Sequence, residues 1–242
     1  MEKQSIFNRD LTYCDLGMID YQSAWDLQHE LHRLRLNNEI NDTLLLLEHP
    51  NTYTLGKAAD KSNVIADTDF IEANGISLFE IDRGGDVTYH GPGQIVGYLI
   101  FDLKNWKKDS HIFLRTIESA IIAVCAEYGI VAGREPKYTG VWVNEGKICA
   151  IGVKLSRWIS MHGFAFNVNT NLEIFNGIIP CGITDKQVTS LEKELNEKIK
   201  IKNVKDKIVN HIMNEFEFQN LSVIEKEDIF EFVERRKEII NE

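Results

Sequence analysis

The chemistry-bearing residues of this chain concentrate between Arg83 and Gln94, which read Arg-Gly-Gly-Asp-Val-Thr-Tyr-His-Gly-Pro-Gly-Gln. Four glycines and a proline ahead of an apolar run do not belong in a core. Such a loop lets a ligand approach the backbone and aims N–H groups at an oxygen, while Arg83 and His90 supply charge or hydrogen bonds. The spacing is not that of a phosphate loop: no G-x-x-x-x-G-K-[ST] occurs, and no G-x-G-x-x-G follows a strand to open a helix. Farther on stands Pro180-Cys181-Gly182. A thiol between a residue of fixed φ and one of free φ lies on a sharp turn, which makes Cys181 the candidate nucleophile. Cys125 falls on an apolar helix face, Cys149 sits in a strand, and Cys14 has no supporting context.

A thiolate needs a base or a nearby cation. His90, His162, Lys147 and Lys154 are all available. The two lysines have opposite parity in one expected strand, so they face opposite ways unless a bulge intervenes, and one of them reaches the site. The residues themselves leave the choice open.

Several elements must position these groups. Ala24, Leu27, Leu31 and Leu34 recur at helical spacing behind Asp20, an N-cap, with His29 and His32 on the solvent side. Thr43 to Leu47 reads as a buried strand stopped at Glu48-His49-Pro50, with His49 a structural strand-end residue. A central strand is expected over 94 to 103. A helix follows over about 111 to 128, opened by Asp109 or Ser110 and closed by Gly129, with Phe113, Ile117, Ile121, Val124 and Cys125 on its face. Residues 140–143 and 147–155 flank Asn144-Glu145-Gly146 as a hairpin, and 162–168 form a further strand. A helix spans about 204 to 216. Residues 219–242 are a charged C-terminal extension, helical from Lys226. No repeat or Gly/Ser linker is present, so the expected fold is one α+β domain over 1–218 with that extension.

Composition narrows the function classes. With 43% hydrophobic residues and 26% charged, the 242-residue chain is of ordinary globular type. Its net charge of −10 argues against a general nucleic-acid binder. About half of that excess lies in residues 215–242, which hold nine acids and four bases. The four cysteines show no metal-type spacing, so no metal is expected. The start, Met1-Glu2-Lys3-Gln4-Ser5, lacks the apolar stretch of a signal peptide, and a cytoplasmic location is expected.

Taken together, Glu48-His49-Pro50 with Tyr53-Thr54-Leu55-Gly56, the 83–94 loop, Lys147-Ile148-Cys149-Ala150-Ile151-Gly152, His162-Gly163-Phe164-Ala165-Phe166-Asn167-Val168 and Pro180-Cys181-Gly182 resemble the octanoyltransferase family of lipoate biosynthesis. The motifs come in that family's order across residues 11 to 218. The resemblance implies the catalytic fold of biotin and lipoate ligases, a mixed sheet with flanking helices. It implies a lipoyl(octanoyl) transferase that moves octanoyl from octanoyl-acyl carrier protein to a specific lysine of a lipoyl domain. The acceptors would be the lipoyl domains of 2-oxoacid dehydrogenase complexes and the glycine cleavage H protein.

On this resemblance Cys181 carries the acyl group, and Lys147 is the lysine that lowers its pKa. Substrate contacts map to Arg83, Gly84, Gly85, Asp86, Val87, Thr88, Tyr89 and His90, to Ala150, Ile151 and Gly152, and to Gly163, Phe164 and Ala165. Oxyanion donors are expected near Gly84-Gly85 or at the Cys181-Gly182 backbone. No cofactor is expected beyond the phosphopantetheine arm of the donor. Because carrier proteins and lipoyl domains are acidic, Arg83, Lys104, Lys107, Lys108, Arg134, Lys137, Lys154 and Arg157 are candidates for a local positive surface. The competing enzyme class is an ATP-dependent lipoate or biotin ligase, and the non-enzymatic one is an acyl-binding module.

Overall fold

The structure is a computed structural model that describes residues 9–179 and 187–241. Strand β1 (Asp10–Met18) leads into helix α1 (Tyr21–Leu36). Asp20 caps that helix as its spacing predicts, its carboxylate accepting from the Ser23 amide at 2.9 Å. His29 is exposed as expected, whereas His32 is half-buried. Strand β2 (Asp42–Glu48) is buried on both faces. Its leucines alternate between two cores, Leu44 and Leu46 on one side of the sheet and Leu45 and Leu47 on the other.

The chain then leaves the main sheet. Strands β3 (Thr52–Leu55), β4 (Ser77–Glu80) and β5 (Val87–His90) form a separate three-stranded sheet in the order β4-β3-β5, with helix α2 (Thr68–Ala73) between β3 and β4. It has its own core, built from Tyr53, Leu55, Val87, Tyr89, Ile174, Phe175 and Ile178. Strand β6 (Gln94–Ile100) returns to the main sheet. It ends three residues short of the expected Leu103, where Asp102 instead caps a 3-10 turn by accepting from the Lys104 amide at 2.9 Å.

Helix α3 (Ser110–Glu127) is opened by Asp109 and packs Phe113, Ile117, Ile121, Val124 and Cys125 inward, the face read from the sequence. Strands β7 (Gly133–Glu135), β8 (Tyr138–Val143), β9 (Gly146–Ser156) and β10 (Ile159–Asn167) run antiparallel in succession. The β8–β9 hairpin is the expected one. Strand β10 starts earlier than residue 162, because Arg157 and Trp158 make a tight turn with φ of 52° and 68°.

Strand β11 (Gln187–Val188), helix α4 (Leu191–Leu195) and helix α5 (Ile201–Glu215) follow. Strand β12 (Asn220–Val223) pairs parallel with β1, and helix α6 begins at Lys226 (Lys226–Asn241). Its Ile229 and Val233 are buried in the core that α1 shares. Among the described residues the main sheet has nine strands in the order β12-β1-β2-β6-β10-β9-β8-β7, with β11 on β9. Helices α3 and α5 cover one face, α1 and α6 the other. This is the expected α+β architecture, a mixed sheet flanked by helices.

Candidate active site

The loop after β4 crosses back over β9 and is anchored there: the Gly84 amide donates to the Val153 carbonyl at 3.1 Å. Gly152 makes this approach possible, since a Cβ on it would sit 3.0 Å from the Gly84 oxygen. Beside the loop lies a cavity of about 390 Å³ walled by β5, β6, β9 and β10. Arg83, Gly84, Gly85, Asp86, Val87, Thr88 and His90 line it, as do Ala150, Ile151, Gly152, Gly163, Phe164 and Ala165.

Tyr89 lies elsewhere. Alternation along β5 turns its side chain, opposite to Thr88 and His90, into the core of the small sheet, where its hydroxyl donates to Asn51 Oδ1 at 2.7 Å. The wall also includes Tyr21, Tyr98, Tyr138, Phe175 and Val188, which sequence reading passed over. Tyr21 and Tyr98 carry no motif signal, because an aromatic in a first helical turn or a central strand reads as ordinary packing.

Much of the loop's polar capacity serves the scaffold. Arg83 donates through Nη2 to the Thr54 carbonyl at 2.9 Å and to the Thr54 hydroxyl at 3.0 Å, and through Nη1 to the Gly84 carbonyl at 3.0 Å. Asp86 accepts from Asn63 at 2.6 Å and from the Val87 amide at 2.7 Å. The Gly84 amide, expected near an oxyanion, is thus committed to Val153.

Burial favours the neutral form of His90 and His162 on the cavity wall and of His49 behind it. Burial holds His90 well below the usual imidazole range, with His49 and Arg83 adding repulsion. His49 is pushed down to about 4 by burial. It donates from Nδ1 to the Ile19 carbonyl at 2.7 Å and accepts at Nε2 from the Tyr98 hydroxyl at 2.7 Å, which is a strand-end structural role. His162 is lowered by burial against the opposing pull of Asp82, to which its Nε2 donates at 2.8 Å. Asp82 is itself held well below the carboxylate range by that bond and by Lys154.

The lysines separate clearly. The β8–β9 register shifts between Val141 and Trp142, so Ile148 and Cys149, consecutive in β9, both enter the same core. This bulge resets the alternation and removes the premise that the lysines face opposite ways. Lys147 lies on the cavity wall. Lys154 is instead taken up by its ion pair with Asp82.

Cys14, Cys125 and Cys149 are all buried thiols, the first two pushed up to about 12 and the third held well above the ordinary thiol range by full burial. They are packing residues, as Cys125 and Cys149 read in the sequence. Cys181 and Gly182 lie outside the described residues. Phe175 and Val188, on either side of that segment, both line the cavity, and Val188 pairs with Lys147. Among the described residues no cluster of side chains could hold a metal, and no helix is long and apolar enough to cross a membrane.

Known proteins resemble this chain at two levels. An octanoyltransferase of Rubrobacter xylanophilus is 53% identical over 80% of this chain and 88% of its own length. An octanoyltransferase of Caldicellulosiruptor saccharolyticus is 48% identical over 94% of this chain and 97% of its own. In fold, lipoate-protein ligase A bound with ATP superposes with a TM-score of 0.69 at 15% identity, covering 95% of this chain and 94% of that one. The putative lipoate protein ligase Ta0514 of T. acidophilum gives 0.68 at 14% identity, covering 95% and 92%. Residues 20–213 match the lipoyl protein ligase A/B catalytic domain. With that domain and such relatives, the chain belongs to the octanoyltransferase family.

Proposed function

We propose that the protein transfers an octanoyl group from octanoyl-acyl carrier protein to a lysine of a lipoyl domain through a thioester on Cys181. The observation that carries this reading is the pairing of Val188 with Lys147: the strand that follows the Pro180-Cys181-Gly182 segment runs beside the lysine on the cavity wall. The octanoyltransferase relatives support it.

In the first half-reaction the Cys181 thiolate attacks the thioester carbonyl. The tetrahedral oxyanion collapses, the carbon–sulfur bond to phosphopantetheine breaks, and the departing thiolate takes up a proton. In the second, the neutral amine of the acceptor lysine attacks the Cys181 thioester, loses a proton, and expels the Cys181 thiolate as the amide forms. Lys147 holds the thiolate electrostatically and relays the proton between the half-reactions. Val96, Ile151, Phe164 and Phe175 offer the acyl chain an apolar wall, and each buried methylene contributes about 0.8 kcal/mol. Thioester aminolysis is downhill, so this route needs no nucleotide. The acceptors on this reading are the lipoyl domains of 2-oxoacid dehydrogenase complexes and the glycine cleavage H protein.

Intact-mass measurement after incubation with octanoyl-acyl carrier protein tests the reading. A covalent octanoyl adduct that is lost in Cys181→Ser and discharged by an added lipoyl domain supports it. Product formation that requires ATP and survives Cys181→Ser replaces it with a ligase.

A further inference from the structure

Strand β8 brings an aromatic ring to the lysine on the cavity wall. The Lys147 ammonium lies 4.8 Å from the centroid of the Trp142 ring, within the range at which a cation is drawn to an indole face. The two residues are cross-strand partners at the edge of the bulge. Trp142 is 5% exposed and Lys147 is half-buried, so water screens this attraction only in part. The indole N–H finds no hydrogen-bond partner among the described residues. A phenyl ring would avoid that cost, and indole is the stronger cation-binding face.

Neighbouring residues hem the arrangement in. Gly140, at φ 134°, has no Cβ; one placed there would meet the Cys149 carbonyl at 2.6 Å and the Lys147 stem at 3.5 Å. The lysine stem therefore passes close over the β8 backbone. The Gly140 amide in turn donates at 3.0 Å to Glu118, a fully buried carboxylate of α3 that also accepts from Arg134 at 2.8 Å. The β8 backbone beneath the stem is thereby tied to the helix layer.

We propose that Trp142 is a positioning residue for acyl transfer, its indole face holding the Lys147 ammonium on the cavity wall next to β11. The inference rests on the reading of Lys147 as the cation that serves the acyl-carrying thiol. It asks more of β8 than packing. Replacing the ring with an aliphatic side chain should weaken the hold on the ammonium, whereas another aromatic should largely keep it.

The test uses the full chain as Trp142→Leu, Trp142→Phe and Lys147→Ala. Each is measured by the pH dependence of iodoacetamide alkylation at Cys181 and by octanoyl transfer to a lipoyl domain. Trp142→Leu should move the alkylation midpoint upward, in the direction of Lys147→Ala, and lower kcat roughly 10-fold with KM little changed, while Trp142→Phe stays within about threefold of the parent. A midpoint and kcat unchanged in folded Trp142→Leu, with Lys147→Ala shifted, overturn the inference and leave the Lys147 reading standing. An unshifted Lys147→Ala overturns both. Should Trp142→Leu not fold by circular dichroism, Trp142→Met, of similar reach and without a π face, takes its place with the same expected outcomes.

Discussion

His90 Nδ1 lies 2.9 Å from Gln94 Oε1, and that contact fixes which ring nitrogen carries the proton. The Gln94 amide nitrogen donates to the Tyr89 carbonyl at 3.1 Å and to Asn167 Oδ1 at 2.9 Å, so its oxygen is free only to accept. Asn167 is oriented by its own donation to the Thr189 carbonyl at 3.0 Å. His90 is therefore an Nδ1–H tautomer with its Nε2 lone pair unprotonated. Nitrogen chemical shifts should report this neutral tautomer at pH 7. Gln94→Leu should leave a buried donor unpaired and lower the free energy of unfolding by about 1–3 kcal/mol in urea titrations.

Acid should weaken the fold through its buried imidazoles. His49 has a pKa of about 4 in the folded protein against an ordinary value of 6.5. Between those values the unfolded chain binds a proton that the folded chain refuses, so stability is full above 6.5 and falls as pH drops towards 4. His49 alone accounts for about 3 kcal/mol over that window, and His90 and His162, also lowered, act in the same direction. Urea midpoints at pH 7.5, 6 and 5 should decline in order. His49→Gln should start lower and decline less, and parallel declines would remove His49 from the account.

Gly163 has no room for a side chain. A Cβ there would lie 2.2 Å from the Gly97 carbonyl and 2.6 Å from a Leu99 methyl. The Leu99 methyl can swing aside, but the Gly97 carbonyl cannot yield without parting β6 from β10. Gly163→Ala should cost about 1–3 kcal/mol and should distort the cavity wall. Thermal unfolding checks the first, and octanoyl transfer at a temperature where the variant stays folded checks the second.

Thiol labelling should divide the four cysteines. Cys14, Cys125 and Cys149 are buried and protonated, so native-state iodoacetamide followed by peptide mapping should find them unmodified at pH 7 and modified in denaturant. On the proposed mechanism Cys181 labels first. Rapid native labelling of Cys149 would contradict the packing around it.

The two lysines of β9 should respond differently to removal. Lys154→Ala breaks a partly exposed ion pair with Asp82, worth about 0–1 kcal/mol, and should leave Cys181 alkylation and acyl transfer near parent values. Lys147→Ala should raise the pH at which Cys181 alkylates. Equal effects of the two substitutions would assign Lys154 a part in the reaction.

Sequence carried the helices well because their signals are local. Asp20 and Asp109 cap where polar side chains precede apolar periodicity, and α6 begins at Lys226. What escaped depends on partners distant in the chain. Strand β12 is exposed throughout, its Asn-Leu-Ser-Val alternation is too short to mark a strand, and it exists as one through its pairing with β1. The Arg157-Trp158 turn lacks the glycine or asparagine that normally marks such geometry. On the cavity wall, the glycine loop was legible because its composition fits no packing role, and the lysine strand because a turn composition precedes an apolar run. The fate of Lys147 and Lys154 was not, because a bulge inverts strand parity without leaving a signature in residue type. Tyr89 shares its motif with His90 yet belongs to a different core.

The parallel pairing of Asp10–Tyr13 with Asn220–Val223 also bears on how the protein is made. A chain growing on the ribosome presents β1 with one flank unpaired until synthesis has passed residue 223. During that interval the open flank is a template on which nascent neighbours can zip together. Slow translation of the closing segment, or its loss by proteolysis, should therefore yield inclusion bodies before it yields a weaker enzyme.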